Sequence, residues 1–171
     1  MQGRKCKEIK GVLLGWLIIA LLFPIASYAA GFEVDPVRII VENCPLGEKV
    51  SVSALAGEEM ILKIQNKEPV SYTYTINVLR SSQSNTPVGG GYSDIPDTFW
   101  IIPEDKEVQI PGNSTKKVKL YLNIPKKQEY YNKKYQAVIG VKRKKDKPQD
   151  MFVLAVQIRM RFSTIKMEVG K

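Results

Sequence analysis

The chain has 171 residues, with 26 Lys and Arg against 17 Asp and Glu, two cysteines and no histidine. That length suits one domain with a real core; the missing imidazole excludes histidine base catalysis, and so few cysteines without histidine exclude ordinary zinc sites. A formal charge of +9 attracts anionic partners without specifying them.

The first 29 residues read as a signal peptide. Arg4, Lys5, Lys7 and Lys10 form a basic start, "GVLLGWLIIALLFPIA" an uncharged apolar core, and Ser27 and Ala29 suit a cut before Ala30. The alternative is an uncleaved membrane anchor, because Gly11 to Phe32 is an uncharged run of 22 and ~20 residues span a bilayer. Either way the chain is expected to be exported, to the periplasm or the cell surface, and to be membrane-anchored if the segment is not cleaved. Cleavage takes away Cys6 and lowers the charge to +6, from 22 basic and 16 acidic residues. Cys44 then stands alone and is expected to be a small hydrophobe at a strand end, with an intermolecular disulfide as the alternative.

Residues 30–163 read as strands separated by turns, with no long 3.6-residue periodicity. "FEVDPVRIIVE" is an extended start in which Pro36 suits an edge strand. "KVSVSA" is expected to continue it, and "EEMILKIQN" to be a strand with Met60, Leu62 and Ile64 on one face. Asn66 to Pro69 is a turn. "SYTYTINVLR" alternates with Tyr72, Tyr74, Ile76 and Val78 on one side. Residues 81–98 form a long Gly-rich connection. "FWIIP" and "KEVQI" flank a short turn. After the Pro111-Gly112 turn, Val118, Leu120, Leu122 and Ile124 alternate with Lys117, Lys119, Tyr121 and Asn123. "YQAVIGVK" and "MFVLAVQIRMRF" supply the last two strands, and residues 164–171 are left as a tail. Each strand has one face to bury, so the expected fold class is all-β, an antiparallel β-sandwich of seven to eight strands.

"FWIIPEDKEVQIPGNSTKKVKLYLNIP" followed by "YYNKKYQAVIGVK" resembles the bacterial form of the immunoglobulin-like sandwich. That form occurs in pilus-type periplasmic chaperones and in fibronectin-like modules of bacterial surface proteins. The resemblance implies fold more than function. It places Tyr135 where such sandwiches often tie a tyrosine hydroxyl to upstream backbone. It also matches "DPVRIIVE" to the chaperones' first strand, which implies that Arg38 would anchor a client's C-terminal carboxylate. The chaperones' partner lysine has no position matched here, and their second sandwich domain is not expected within these 171 residues.

No nucleophile–base pair, carboxylate pair or metal set emerges, so no enzyme and no cofactor is expected. "VGGGYSD" lacks the ending of a phosphate-binding loop. Asp94, Asp97, Glu104 and Asp105 read as turn acids rather than calcium ligands, and Asn113-Ser114-Thr115 matches a glycosylation acceptor pattern that a bacterial-type chain rarely uses. Three candidate binding surfaces remain. One is the edge carrying Arg38. The second is Tyr130 and Tyr131 beside Lys133, Lys134 and Tyr135. The third is the cationic hairpin Lys142, Arg143, Lys144, Lys145 and Lys147, suited to an anionic glycopolymer or lipid headgroups. Nucleic acid is disfavoured by export. The reading is a non-enzymatic module binding another envelope or surface protein, or serving a structural role there. The alternative is an assembly chaperone capturing subunits by strand addition.

Overall fold

A computed structural model describes residues 31–144 and 154–167. The segment read as a signal peptide or anchor lies outside these residues, as do Lys145 and Lys147. Among the described residues no helix is long and apolar enough to cross a membrane.

The strands run in chain order as β1 Phe32–Asp35, β2 Arg38–Cys44, β3 Lys49–Ser51, β4 Leu62–Asn66, β5 Tyr72–Arg80, β6 Ser93–Asp94, β7 Ile101–Pro103, β8 Glu107–Ile110, β9 Ser114–Val118, β10 Leu120–Asn123, β11 Lys134–Arg143 and β12 Ala155–Thr164. One sheet has the order β2-β12-β11-β5-β8, with β6 also on β11. Facing it are β1-β4-β9 and β3-β10-β7. The latter two join because β9 and β10 are one run broken at Lys119.

This is the expected immunoglobulin-like sandwich, and alternation built it. Val118, Leu120, Leu122 and Ile124 are buried, as are Ile158, Met160 and Phe162 from β12 and Ala137, Ile139 and Val141 from β11. Each large apolar side chain so buried contributes ~1.5–3 kcal/mol. Trp100 closes one end of the core, with Tyr130 at 4.7 Å and Tyr135 at 5.2 Å between ring centres.

Several elements differ from the sequence reading. Twelve segments replace seven or eight strands because breaks at Pro36, after Cys44 and at Lys119 divide expected runs and the 81–98 connection contributes β6. "FEVDPVRIIVE" is two strands: β1 pairs with β4, and β2 crosses to the other sheet and pairs with β12. Pro36 sits at that crossing, where no ladder needs its missing N–H, rather than within an edge strand. The crossing makes β2 run parallel to β12 in an otherwise mainly antiparallel sandwich. "KVSVSA" stops as a strand at Ser51 and turns into a short helix, α1, Val52–Ala56. Ala54, Leu55 and Ala56 favour it, buried Val52 anchors it, and Gly57 with φ 100° ends it. Met60 lies in a 3-10 turn before β4. Flanking Glu104-Asp105, β7 and β8 go to opposite sheets. Ile165, assigned to the tail, donates to Cys44 O and accepts from Asn132 N.

Residues 81–95 are not an open loop. The chain leaves β5 through a 3-10 turn, Ser81–Gln83, and returns as β6 beside the start of β11. Between these points it lies on the outer face of the larger sheet. Gln136, fully buried, binds it there: Nε2 donates to Ser81 Oγ (3.1 Å) and Pro87 O (3.0 Å), while Oε1 accepts from Gly89 N (3.2 Å).

Candidate functional site

Parallel pairing of β2 with β12 begins at one register position, Arg38 opposite Arg159. Cross-strand neighbours point to the same side of a sheet. Alternation sends Ile39, Ile158 and Met160 inward, so both arginines belong to the outer face. Like charges directly opposite are unfavourable, so this placement needs a reason.

Among the described residues neither arginine has an acidic partner. The ion pairs among the described residues are Lys63–Asp35, Lys67–Glu33, Arg143–Glu68 and Lys144–Glu107. Arg159 Nε is buried and has no hydrogen-bond partner. Such an orphaned donor costs ~1–3 kcal/mol. Arg161 provides the contrast. It lies two residues along the same face, donates from Nε to Gln136 Oε1 at 3.0 Å, and stacks 4.7 Å over the Tyr92 ring. Arg161 is satisfied internally; Arg38 and Arg159 are not.

The two arginines border a cleft of about 270 Å³. Val37, Gln157 and Ile158 line it beside them, Val138 lies next to Arg159 in register, and Thr86 lines it from the 81–92 segment, next to Gln157. Two guanidinium groups with free donors suit a planar anion, a carboxylate or phosphate.

A strand edge leads to this cleft. Because β2 starts at Arg38, it covers β12 only from Arg159 onward. Ala155–Ile158 has no strand on that side among the described residues. The approach is apolar: Val37 is 79% exposed, Leu154 37%, and Val156 half-buried. Unpaired backbone beside apolar side chains is a template for an added strand.

The other candidate residues fall elsewhere. Tyr130 and Tyr131 pack against the core, and the Tyr130 carbonyl accepts from Thr164 Oγ1 at 2.6 Å. At the hairpin, Lys142 is exposed. Arg143 lies 2.7 Å from Glu68 and over the Tyr72 ring, and Lys144 lies 2.9 Å from Glu107. Two of its three described cations are therefore committed within the fold. Lys145 and Lys147 lie outside the described residues.

Asp94 holds the 3-10 turn, accepting from Ser81 N, Ser82 N and Ser82 Oγ, and also from Ile95 N. Burial pushes its carboxyl up, but bonds from Ser82, Ser81 and Ile95 together hold it below the usual range. Asp97 caps the next turn through Phe99 N. The tyrosine-corner expectation for Tyr135 fails: its hydroxyl makes no hydrogen bond among the described residues, and its ring instead joins Trp100 and Phe162. Burial, then repulsion from Tyr130 and Glu129, raises its pKa.

Arg159, Gln157 and Thr86 were not singled out in the sequence. Alternation in "AVQIRMRF" does put Arg159 and Arg161 on the outer face. It does not tell which strand lies beside them.

No family model matches the chain, and no curated protein matches its sequence. Solved structures do. The ASH/PapD-like domain 7 of human CEP192 is 12% identical, with a TM-score of 0.56, over 81% of this chain and 88% of that one. The periplasmic chaperone SfaE is 12% identical, with a TM-score of 0.52, over 82% and 61%. The CsuC–CsuE chaperone–tip subunit pre-assembly complex of Acinetobacter baumannii gives 14%, 0.52, 80% and 53%. The chain thus spans little more than half the length of these chaperone chains. It has the immunoglobulin-like fold of PapD-like domains and pilus chaperones.

Proposed function

We propose that the protein is a non-enzymatic, exported binding domain that captures an extended segment of another envelope protein. It does so by strand addition along Ala155–Ile158, in the manner of an assembly chaperone. The observation that carries this reading is the Arg38–Arg159 pair, without a partner among the described residues, at the end of a strand edge that no described strand covers. An added strand running parallel to β12 would end where β2 begins. Its terminal carboxylate would then reach the two arginines, and its backbone would pair with β12. The fold of the periplasmic chaperones supports the reading, and the CsuC–CsuE structure is a chaperone with a tip subunit. A glycopolymer or lipid partner has less support, because Arg143 and Lys144 already hold Glu68 and Glu107.

The test uses a synthetic octapeptide of alternating valine and threonine with a free C-terminal carboxylate, followed by fluorescence anisotropy. Removing one partner of a desolvated, hydrogen-bonded charge pair costs ~2–5 kcal/mol. Amidation of the peptide, Arg38→Glu or Arg159→Glu should each weaken binding at least about tenfold. Equal affinity for acid and amide would overturn the proposal.

A further inference from the structure

Residues 81–92 form a strap with no assigned role, and side chains of the larger sheet hold it on the outer face beside the arginine cleft. Asp94 fixes its first turn through Ser81 and Ser82. Gln136 ties down its middle at Ser81, Pro87 and Gly89. A side chain at Gly89 would collide with the Arg161 guanidinium, so the backbone lies flush on that group. Tyr92 stacks against the same guanidinium. Held this way, the strap reaches β12, where Thr86 Oγ1 lies 3.4 Å from Gln157 Oε1. Thr86 then lines the cleft together with the arginines.

These placements restrict what can enter. Beyond Arg159 the edge of β12 is occupied by β2. On the outer face the strap borders the cleft through Thr86. A chain arriving along Ala155–Ile158 meets β2 in line and Thr86 of the strap across the outer face. The cleft, at about 270 Å³, falls just below the ~300–1,000 Å³ of ordinary ligand pockets. We infer that the strap is the specificity element of this site: by walling the cleft it selects the end of a polypeptide over an internal segment. This rests on the strand-addition reading but adds a claim that can fail separately.

Three peptides separate the two claims: the valine–threonine octapeptide as free acid, the same peptide amidated, and the same peptide extended by two glycines with a free acid. They are titrated against the wild type and a variant with residues 83–91 replaced by Gly-Ser-Gly. Gln136→Ala serves as a second, milder release of the strap. Wild type should bind the free acid at least about tenfold tighter than the extended peptide. In the strap variants that ratio should fall towards one, while the acid-over-amide preference remains. An unchanged ratio with the strap released would overturn the inference, as would wild type binding the extended peptide equally. Loss of the acid-over-amide preference already in wild type would instead remove the arginine reading on which it stands. Thr86→Trp gives an independent check. It should weaken the free acid without improving the extended peptide; an unaltered affinity would show that Thr86 is not a wall.

Discussion

Replacing Arg159 by methionine should make the unliganded protein more stable. Two costs are relieved. Arg38 and Arg159 are like charges opposite each other in register, a pairing worth ~0.2–1 kcal/mol against the fold. Exposure of Arg38 puts that towards the low end, since solvent and salt screen it. Arg159 Nε is also buried without a partner, and an orphaned buried donor costs ~1–3 kcal/mol. Methionine keeps an unbranched stem of similar reach beside Val138, its register neighbour. The net expectation is a gain of about 1–2 kcal/mol, or roughly 3–6 °C in Tm for a sandwich of this size. Thermal and urea unfolding with an unchanged m-value would measure it. A second arm exchanges chloride for acetate at constant ionic strength. A carboxylate that binds the folded state raises its stability by mass action, so wild type should gain and Arg159→Met should not. A variant less stable than wild type would refute the reasoning. It would mean that the guanidinium holds the β2–β12 junction together rather than waiting for a ligand.

Other expectations concern the scaffold. Asn66 is fully buried; its Nδ2 donates to the carbonyls of Val70, Ile110 and Pro111, and its Oδ1 accepts from Glu68 N. Asn66→Ala should cost ~2–4 kcal/mol, read as a lower urea midpoint. Burial pushes the Cys44 thiol up to about 12, against the pull of a backbone hydrogen bond, whereas an unfolded thiol titrates near ~8.5. Stability from the neutral thiol is therefore complete below the unfolded value and is lost as pH climbs towards 12. The stability difference between wild type and Cys44→Ala should shrink between pH 8 and pH 10.5, and iodoacetamide should label Cys44 only after denaturant is added. Tyr135→Phe should leave stability within ~0.5 kcal/mol, because the ring contacts with Trp100 and Phe162 persist and no hydrogen bond is lost. A loss above 1 kcal/mol would restore the tyrosine-corner account.

Inward faces were legible because side-chain alternation is local: each strand declares its buried side within a few residues. Val118 to Ile124 read correctly through the break at Lys119 for that reason, although the break itself joins two sheets. Pairing is not local. Nothing near "DPVRIIVE" says that the chain leaves β4 at Pro36 and joins β12, and only that crossing sets Arg38 beside Arg159. The same limit explains why "QIRMRF" presents two equivalent arginines. Arg161 meets Gln136 and Tyr92 because the strap returns over it, so its charge is absorbed into the fold. Arg159 lies one pleat further, where the strap offers only Thr86 and the neighbouring strand offers a second arginine. A residue's neighbours across the sheet, and not its own segment, decide which of two identical side chains is structural and which is left to bind. A change on a distant element should therefore reassign the roles. Loss of Gln136 would free Arg161 from its hydrogen bond and loosen the strap that walls the cleft around Arg159.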